Sequence, residues 1–225
     1  MNKNDVHVYV ARTNWDEKTT QQHLKSLPHT EQAYSQRYTH PLRLRSFVAS
    51  RYLLRQILSH LENKPAHEWL FHYEQKRLCL NQQQTDWHTS MSHGDDWVAC
   101  LLAKTVHCGV DIESTSINPR FMAIAQRFFH PLEYQQLLDL PEHLRFAVFL
   151  EFWTKKEASV KAWHCGLAHH LAAVSFQHSS LAPVSYPNEF ADLPLKLATC
   201  QHLDWQLACA VHLQEPQWLF DEWGL

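Results

Sequence analysis

An α+β fold of two halves is what the order of periodic segments predicts. Three observations carry it. Val6-His7-Val8-Tyr9-Val10 alternates like a half-buried strand, helical spacing from Leu42 to Leu61 is followed by strand-like runs, and the same order returns after Gly109. Each half therefore offers a strand, helices and then antiparallel strands, a pseudo-symmetric arrangement with a cleft expected at the interface. No repeat is visible residue by residue. The halves are read as 1–106 and 107–225, tightly packed as one unit.

After the opening strand, Trp15 to Lys25 is polar and reads as loop or short helix. Helical spacing runs from Thr30 to Tyr38 and again from Leu42 to Leu61, with Pro41 at a helix start, where a missing N–H costs nothing. This second helix carries Arg43, Arg45, Arg51 and Arg55 among Phe47, Leu53, Leu54 and Ile57; Arg55 is read as a solvated flank. Strands are expected over Trp69 to Tyr73, Lys76 to Leu80, Trp87 to Ser92 and Trp97 to Ala103, the last two joined by a turn through Ser92-His93-Gly94-Asp95-Asp96. Asn118-Pro119, Pro131 and Pro141 each begin a helical stretch. In the long helix after Pro141, Phe146, Val148, Phe149, Leu150 and Phe152 are core candidates. Strands return over Ala172 to Phe176, Leu195 to Thr199 and Trp205 to Leu213, with Trp218 to Phe220 as a last edge strand.

The 225 residues suffice to bury roughly 70% of the unfolded surface without metal or disulfide staples. The six cysteines show no C-x-x-C spacing and are expected to be reduced core thiols. Eighteen histidines raise the question of zinc, but they are scattered and form no H-E-x-x-H array. A net charge of −3 argues against a dedicated nucleic-acid protein. No apolar run approaches the ~20 residues of a membrane span, and no signal-peptide core follows Met1, so a cytoplasmic protein is expected.

Two stretches carry chemistry. In Gly109-Val110-Asp111-Ile112-Glu113 the acids alternate with apolar residues, so both carboxylates share one strand face and repel. A hard divalent cation relieves that repulsion, and Mg²⁺ is typically held by one or two carboxylates with substrate phosphates and water. In Glu151 to Leu167, Trp153, Glu157 and Lys161 fall on one helix face. Taken alone, Glu157 and Lys161 are an ordinary ion pair contributing about 0.3–0.5 kcal/mol. Set beside the strand acids, Glu157 supplies a third oxygen ligand, and Lys156 and Lys161 are candidates to meet phosphates. Only four glycines occur; Gly109 and Gly166 lie in these stretches and Gly94 in Ser92-His93-Gly94, each expected to mark a positive φ or a close backbone approach.

Both stretches resemble signatures of the 4′-phosphopantetheinyl transferase superfamily: Gly109 to Glu113 matches G-[IV]-D-[IV]-E, and Trp153 to Leu167 matches W-[ST]-x-K-E-[AS]-x-x-K-x-x-G-x-G-[LF]. Ser92-His93-Gly94 and Phe128-Phe129-His130-Pro131-Leu132-Glu133 match two further features in the right order. The chain departs from the pattern at His164, where the first glycine of the last motif is expected, while Gly166 keeps the second and is expected to cap the helix. The resemblance implies contacts from Ser92 and His93 to the nucleotide phosphate and from Arg45 and Arg51 to the 3′-phosphate of coenzyme A. Lys76 matches a family lysine, although Gln75 and Arg77 replace its usual neighbours.

The length fits the family's double-length, monomeric branch. The resemblance then implies transfer of the 4′-phosphopantetheine arm from coenzyme A to a serine of an apo carrier protein, releasing adenosine 3′,5′-bisphosphate. Mg²⁺ on Asp111, Glu113 and Glu157 would bind the pyrophosphate with Lys161 and Lys156 beside it, and Glu157, then Glu113, is the candidate general base. Acceptors of this kind are small acidic acyl, polyketide or peptidyl carriers. Two other classes stay open: a protein that binds coenzyme A without transferring, and a carboxylate-metal phosphoesterase.

Overall fold

In the computed structural model, which describes residues 2–74, 77–165 and 170–224, strand β1 (Asp5–Arg12) alternates as expected but is buried on both faces. Val6, Val8 and Val10 point into one apolar cluster, Tyr9 and Ala11 into another. Trp15 to Lys25 resolves into helix α1 (Glu17–Ser26), whose start is capped by the Asp16 carboxylate accepting from the Thr19 amide at 2.7 Å. Helices α2 (His29–Ser35) and α3 (Pro41–Glu62) follow, and α3 lays Leu53, Leu54, Ile57 and Leu58 against the sheet.

Strands β2 (Phe71–Glu74) and β3 (Arg77–Leu80) pair as a small antiparallel ribbon. Then come β4 (His88–Gly94), β5 (Trp97–Ala103) and β6 (Cys108–Ser114). One sheet has the order β11-β1-β5-β4, where β11 (Gln217–Glu222), from the far end of the chain, runs parallel to β1 and β5 lies antiparallel to both its neighbours. A second sheet has the order β6-β10-β9, all antiparallel, with β9 (Lys196–Gln201) and β10 (Trp205–Val211). In the chain between β6 and β9 come α4 (Phe121–Phe128), α5 (Pro131–Asp139), α6 (Glu142–Ala162) and the short ribbon of β7 (Ser175–Phe176) with β8 (Pro183–Ser185).

The two sheets stack. Cys108, Val110 and Ile112 of β6 meet Val6, Val8, Ala99 and Leu101 of the first sheet. The outer face of the first sheet is covered by α3, and the outer face of the second by α6, which packs on Ala208, Ala210 and Leu197. A mixed α+β arrangement of helix, sheet, sheet, helix results. Every residue of β5 and β10 is buried in consequence, because both faces of those strands are covered.

Two glycines set the spacing around β6. A Cβ on Gly109 would stand 2.0 Å from the carbonyl oxygen of Ala158, and one on Gly94 would stand 2.9 Å from that of Ile112. Neither glycine has positive φ. Of the two uses expected for them, close backbone approach is the one observed: β6 touches the α6 backbone on one side and the end of β4 on the other.

Candidate active site

Asp111 and Glu113 lie two and four residues beyond Gly109, so all three share the face of β6 that meets α6. On β4, Ser92 precedes Gly94 by the same step of two. Close approach at the two glycines thus brings Ser92, Asp111 and the last turns of α6 together. Asp111 is 1% exposed, and its Oδ1 accepts from Ser92 Oγ at 2.8 Å and from Lys161 Nζ at 2.6 Å. Lys161 also donates to the Val110 carbonyl at 3.1 Å and stands 3.5 Å from Glu157 Oε2. Asp111 Oδ2 is buried with no partner.

The electrostatics follow from this crowding. Burial, then the charges of Asp111 and Glu157, push the Glu113 carboxyl up to about 8. Burial and Asp111 likewise raise Glu157 to about 7, against the pull of Lys161. Burial works against charge on Lys161, but Asp111 and Glu157 outweigh it and hold that ammonium above the ordinary lysine value. The acids are short of cation. The oxygens of Asp111, Glu113 and Glu157 do not all lie within 4.8 Å of one another, so these carboxylates would have to close on an ion, but an all-oxygen donor set with a buried unpartnered carboxylate oxygen suits a hard divalent one.

Ser92, His93 and Lys161 form one wall of a cavity of about 1200 Å³. Its other walls come from Tyr34, Arg43, Phe47, Arg51 and Tyr73 near α3 and from Arg77 and His164 near the end of α6. Ser92, His93 and Gly94 sit on β4 itself, and the turn is Asp95-Asp96, with Asp95 at φ 46°. The expected loop placement is corrected accordingly. His93 is exposed, and loss of hydration followed by the charge of Lys161 holds its imidazole below the ordinary value.

Several expected roles change. Lys156 points away from the cavity: it is fully buried, donating to Glu133 Oε2 at 2.5 Å and to the Val174 carbonyl. Five residues separate it from Lys161, a rotation of roughly 140° about the helix axis, so one helix cannot aim both at one phosphate. Arg45 is not among the cavity residues; its guanidinium pairs with Asp96 of the β4–β5 turn. Arg51 does line the cavity, stacked 4.7 Å over Phe47 and donating to Ser50 and Tyr73. Arg55 is no solvated flank; it is buried, paired with Glu31 at 3.0 Å. Trp153, on the helix face of Glu157 and Lys161, donates its indole N–H to Glu113 Oε1 at 3.1 Å. Lys76 and Gly166 lie outside the described residues.

Helix α6 ends earlier than expected. The amide of His164 returns to the Lys161 carbonyl at 3.2 Å and that of Cys165 to Val160 at 3.2 Å, the paired closing bonds of a helix C-terminus. His164 supplies the left-handed residue, at φ 58°. A glycine takes that conformation freely, which is the physical reason for one at this position; a side chain pays roughly 1–2 kcal/mol. Stacking on His107 and one hydrogen bond of Nε2, given to the Val106 carbonyl at 2.9 Å or accepted from Arg77, offset the cost. Arg43, Arg77 and the tyrosines of the cavity were not singled out by motif; Arg43 showed itself only as one member of a basic helix face.

The model of the 4′-phosphopantetheinyl transferase superfamily matches residues 107–210, which contain β6, α6 and the three acids. The chain is 30% identical to the 4′-phosphopantetheinyl transferase psf-1 of Bacillus pumilus, over 64% of this chain and 60% of that protein. It is 29% identical to the 4′-phosphopantetheinyl transferase HetI of a Nostoc species, over 73% and 70%, and 30% identical to Sfp of Bacillus subtilis, over 59% and 58%. Relatives of one described activity thus align with this chain over more than half its length, and the match to the 4′-phosphopantetheinyl transferase superfamily coincides with the strand and helix that carry Asp111, Glu113 and Glu157.

Proposed function

We propose that the protein transfers the 4′-phosphopantetheine group of coenzyme A to a serine hydroxyl of an apo carrier protein. The observation that carries the reading is the buried Asp111, held by Ser92 and Lys161, with one oxygen unpartnered beside a cavity of about 1200 Å³. Such a cavity has room for a nucleotide-sized ligand. Mg²⁺ held by Asp111, Glu113 and Glu157 would supply positive charge to the diphosphate as its bridging bond breaks. Lys161 and Ser92 donate to the same oxygens and orient them. Arg51, with the aromatic wall around it, receives the nucleotide end. The carrier serine loses its proton to Glu157, its oxygen bonds to the phosphorus bearing the pantetheine arm, and adenosine 3′,5′-bisphosphate leaves with the bridging oxygen.

The shared strand order of the two sheets (β1-β5-β4 and β6-β10-β9) supports reading 1–106 and 107–225 as pseudo-symmetric halves. We take the enzyme to be a cytoplasmic monomer acting on an acidic carrier; among the described residues no helix is long and apolar enough to cross a membrane.

The test is mass gain on apo carrier proteins incubated with the enzyme, coenzyme A and Mg²⁺. Asp111→Ala and Glu157→Ala are each expected to abolish the gain with the fold intact, and full activity in either overturns the assignment. Binding of coenzyme A without any transfer by the wild type would instead favour a binding protein.

A further inference from the structure

Away from the acids, the β2–β3 ribbon places three unlike donors on its outer face. His72 stands directly opposite Cys79 in the antiparallel register, and Glu74, two residues on, projects from the same side. One ligand atom from each lies within 4.8 Å of the others, the only such trio of histidine, cysteine or acid among the described residues. His72 Nε2 and Glu74 Oε1 are 3.1 Å apart, close to the roughly 3.3 Å that two ligands at ~2.05 Å subtend across a tetrahedral ion. The inner face of the ribbon is anchored, with Leu78 and Leu80 buried and Phe71 and Tyr73 packed on the same core, so the donors stand on a fixed support.

An exposed His–Glu pair by itself contributes little, and that simpler account covers His72 and Glu74. Cys79 adds a third donor, its thiol hydrogen-bonded to Glu74 and 3.8 Å from the Arg77 carbonyl, while Arg77, which faces Glu74 across the ribbon, turns its guanidinium to His164. Thiolate sulfur excludes Mg²⁺ and Ca²⁺ as the intended ion, whereas imidazole, thiolate and carboxylate together are a set that Zn²⁺ accepts, with a fourth position open to water.

We propose that His72, Glu74 and Cys79 form a Zn²⁺-type site, separate from the Asp111 cluster. Glu74 and Arg77 also line the large cavity, so an ion bound here would clip a ribbon that forms part of the cavity's wall.

The test uses the full chain, metal-free and with reduced thiols, titrated with Co²⁺ and read by the near-ultraviolet thiolate-to-cobalt band, with displacement by Zn²⁺. One equivalent is expected to produce the band, and Asp111→Asn to leave it in place. Cys79→Ser is expected to remove it, and His72→Gln or Glu74→Gln to weaken binding by roughly tenfold or more, a loss that even indirect supports of a ligand can cause. Near-ultraviolet dichroism of each variant checks its packing. A wild type without the band, or a band of equal strength in folded Cys79→Ser, overturns the proposal.

Discussion

Two lysines of α6 meet carboxylates at nearly the same distance, Lys156 with Glu133 at 2.5 Å and Lys161 with Asp111 at 2.6 Å. What separates them is what the carboxylate does with its other lone pairs. Glu133 Oε1 accepts from the Phe176 amide at 2.9 Å, and Oε2 accepts from the His130 amide at 3.0 Å as well as from Lys156. Both its oxygens are used, and the pair joins the start of α5, α6 and β7. Asp111 loads everything on one oxygen and leaves the other bare in a buried place. A fully satisfied buried network locks a fold, while a half-satisfied one is costly unless a ligand completes it. Between these two lysines, it is the satisfaction of the carboxylate and not the length of the ion pair that separates scaffold from site.

The comparison breaks most sharply at the scaffold. Lys156→Met leaves Glu133 buried without its cation and is expected to cost about 3–5 kcal/mol of unfolding free energy, measured by denaturant titration. Lys156→Met combined with Glu133→Leu should recover much of that loss, since a well-packed apolar replacement of a buried pair is often neutral. If the single variant is as stable as the wild type, the structural reading of Lys156 fails.

At the site the expected effect is on turnover. Lys161→Met should slow transfer by about 10²–10³-fold, as loss of one preorganised donor to developing charge does. Its cost in stability is expected to be smaller than that of Lys156→Met, because the Lys161 side chain is 27% exposed and water can replace it. Equal turnover in the two methionine variants would erase the distinction.

The mildest effect is a shift with pH. Glu113 and Glu157 are raised from 4.5 to about 8 and about 7. In that window the folded chain holds more protons than the unfolded chain, so without a divalent ion its stability falls as pH rises. An ion bound to the ionised carboxylates opposes the fall. The rise in thermal midpoint on adding Mg²⁺ should therefore be larger near ~pH 8 than near ~pH 5.5 in the wild type, and this difference should vanish in Asp111→Ala. A Mg²⁺ shift independent of pH argues against these acids as the ligands.

Much of this molecule was legible in the chain. Alternation found β1, proline positions found the starts of α3 and α5, and the spacing of acids and lysine put Asp111, Glu113, Glu157 and Lys161 among the candidates. Arg45 and Lys156 misled for one reason: a basic residue in a motif is visible in sequence, but its partner is 51 or 23 residues away. The Trp153–Glu113 contact, 40 residues apart, was hidden in the same way.

By itself the sequence determined which residues share a face of each strand or helix, since the repeats of two and 3.6 are local properties of the backbone. Only the tertiary structure decided what each face meets. Gly109 lying on Ala158, and Gly94 on Ile112, set how β4, β6 and α6 approach, and that approach turns Lys161 to Asp111 and Lys156 to Glu133. A face is a matter of dihedral angles, whereas a neighbour depends on packing between segments far apart along the chain.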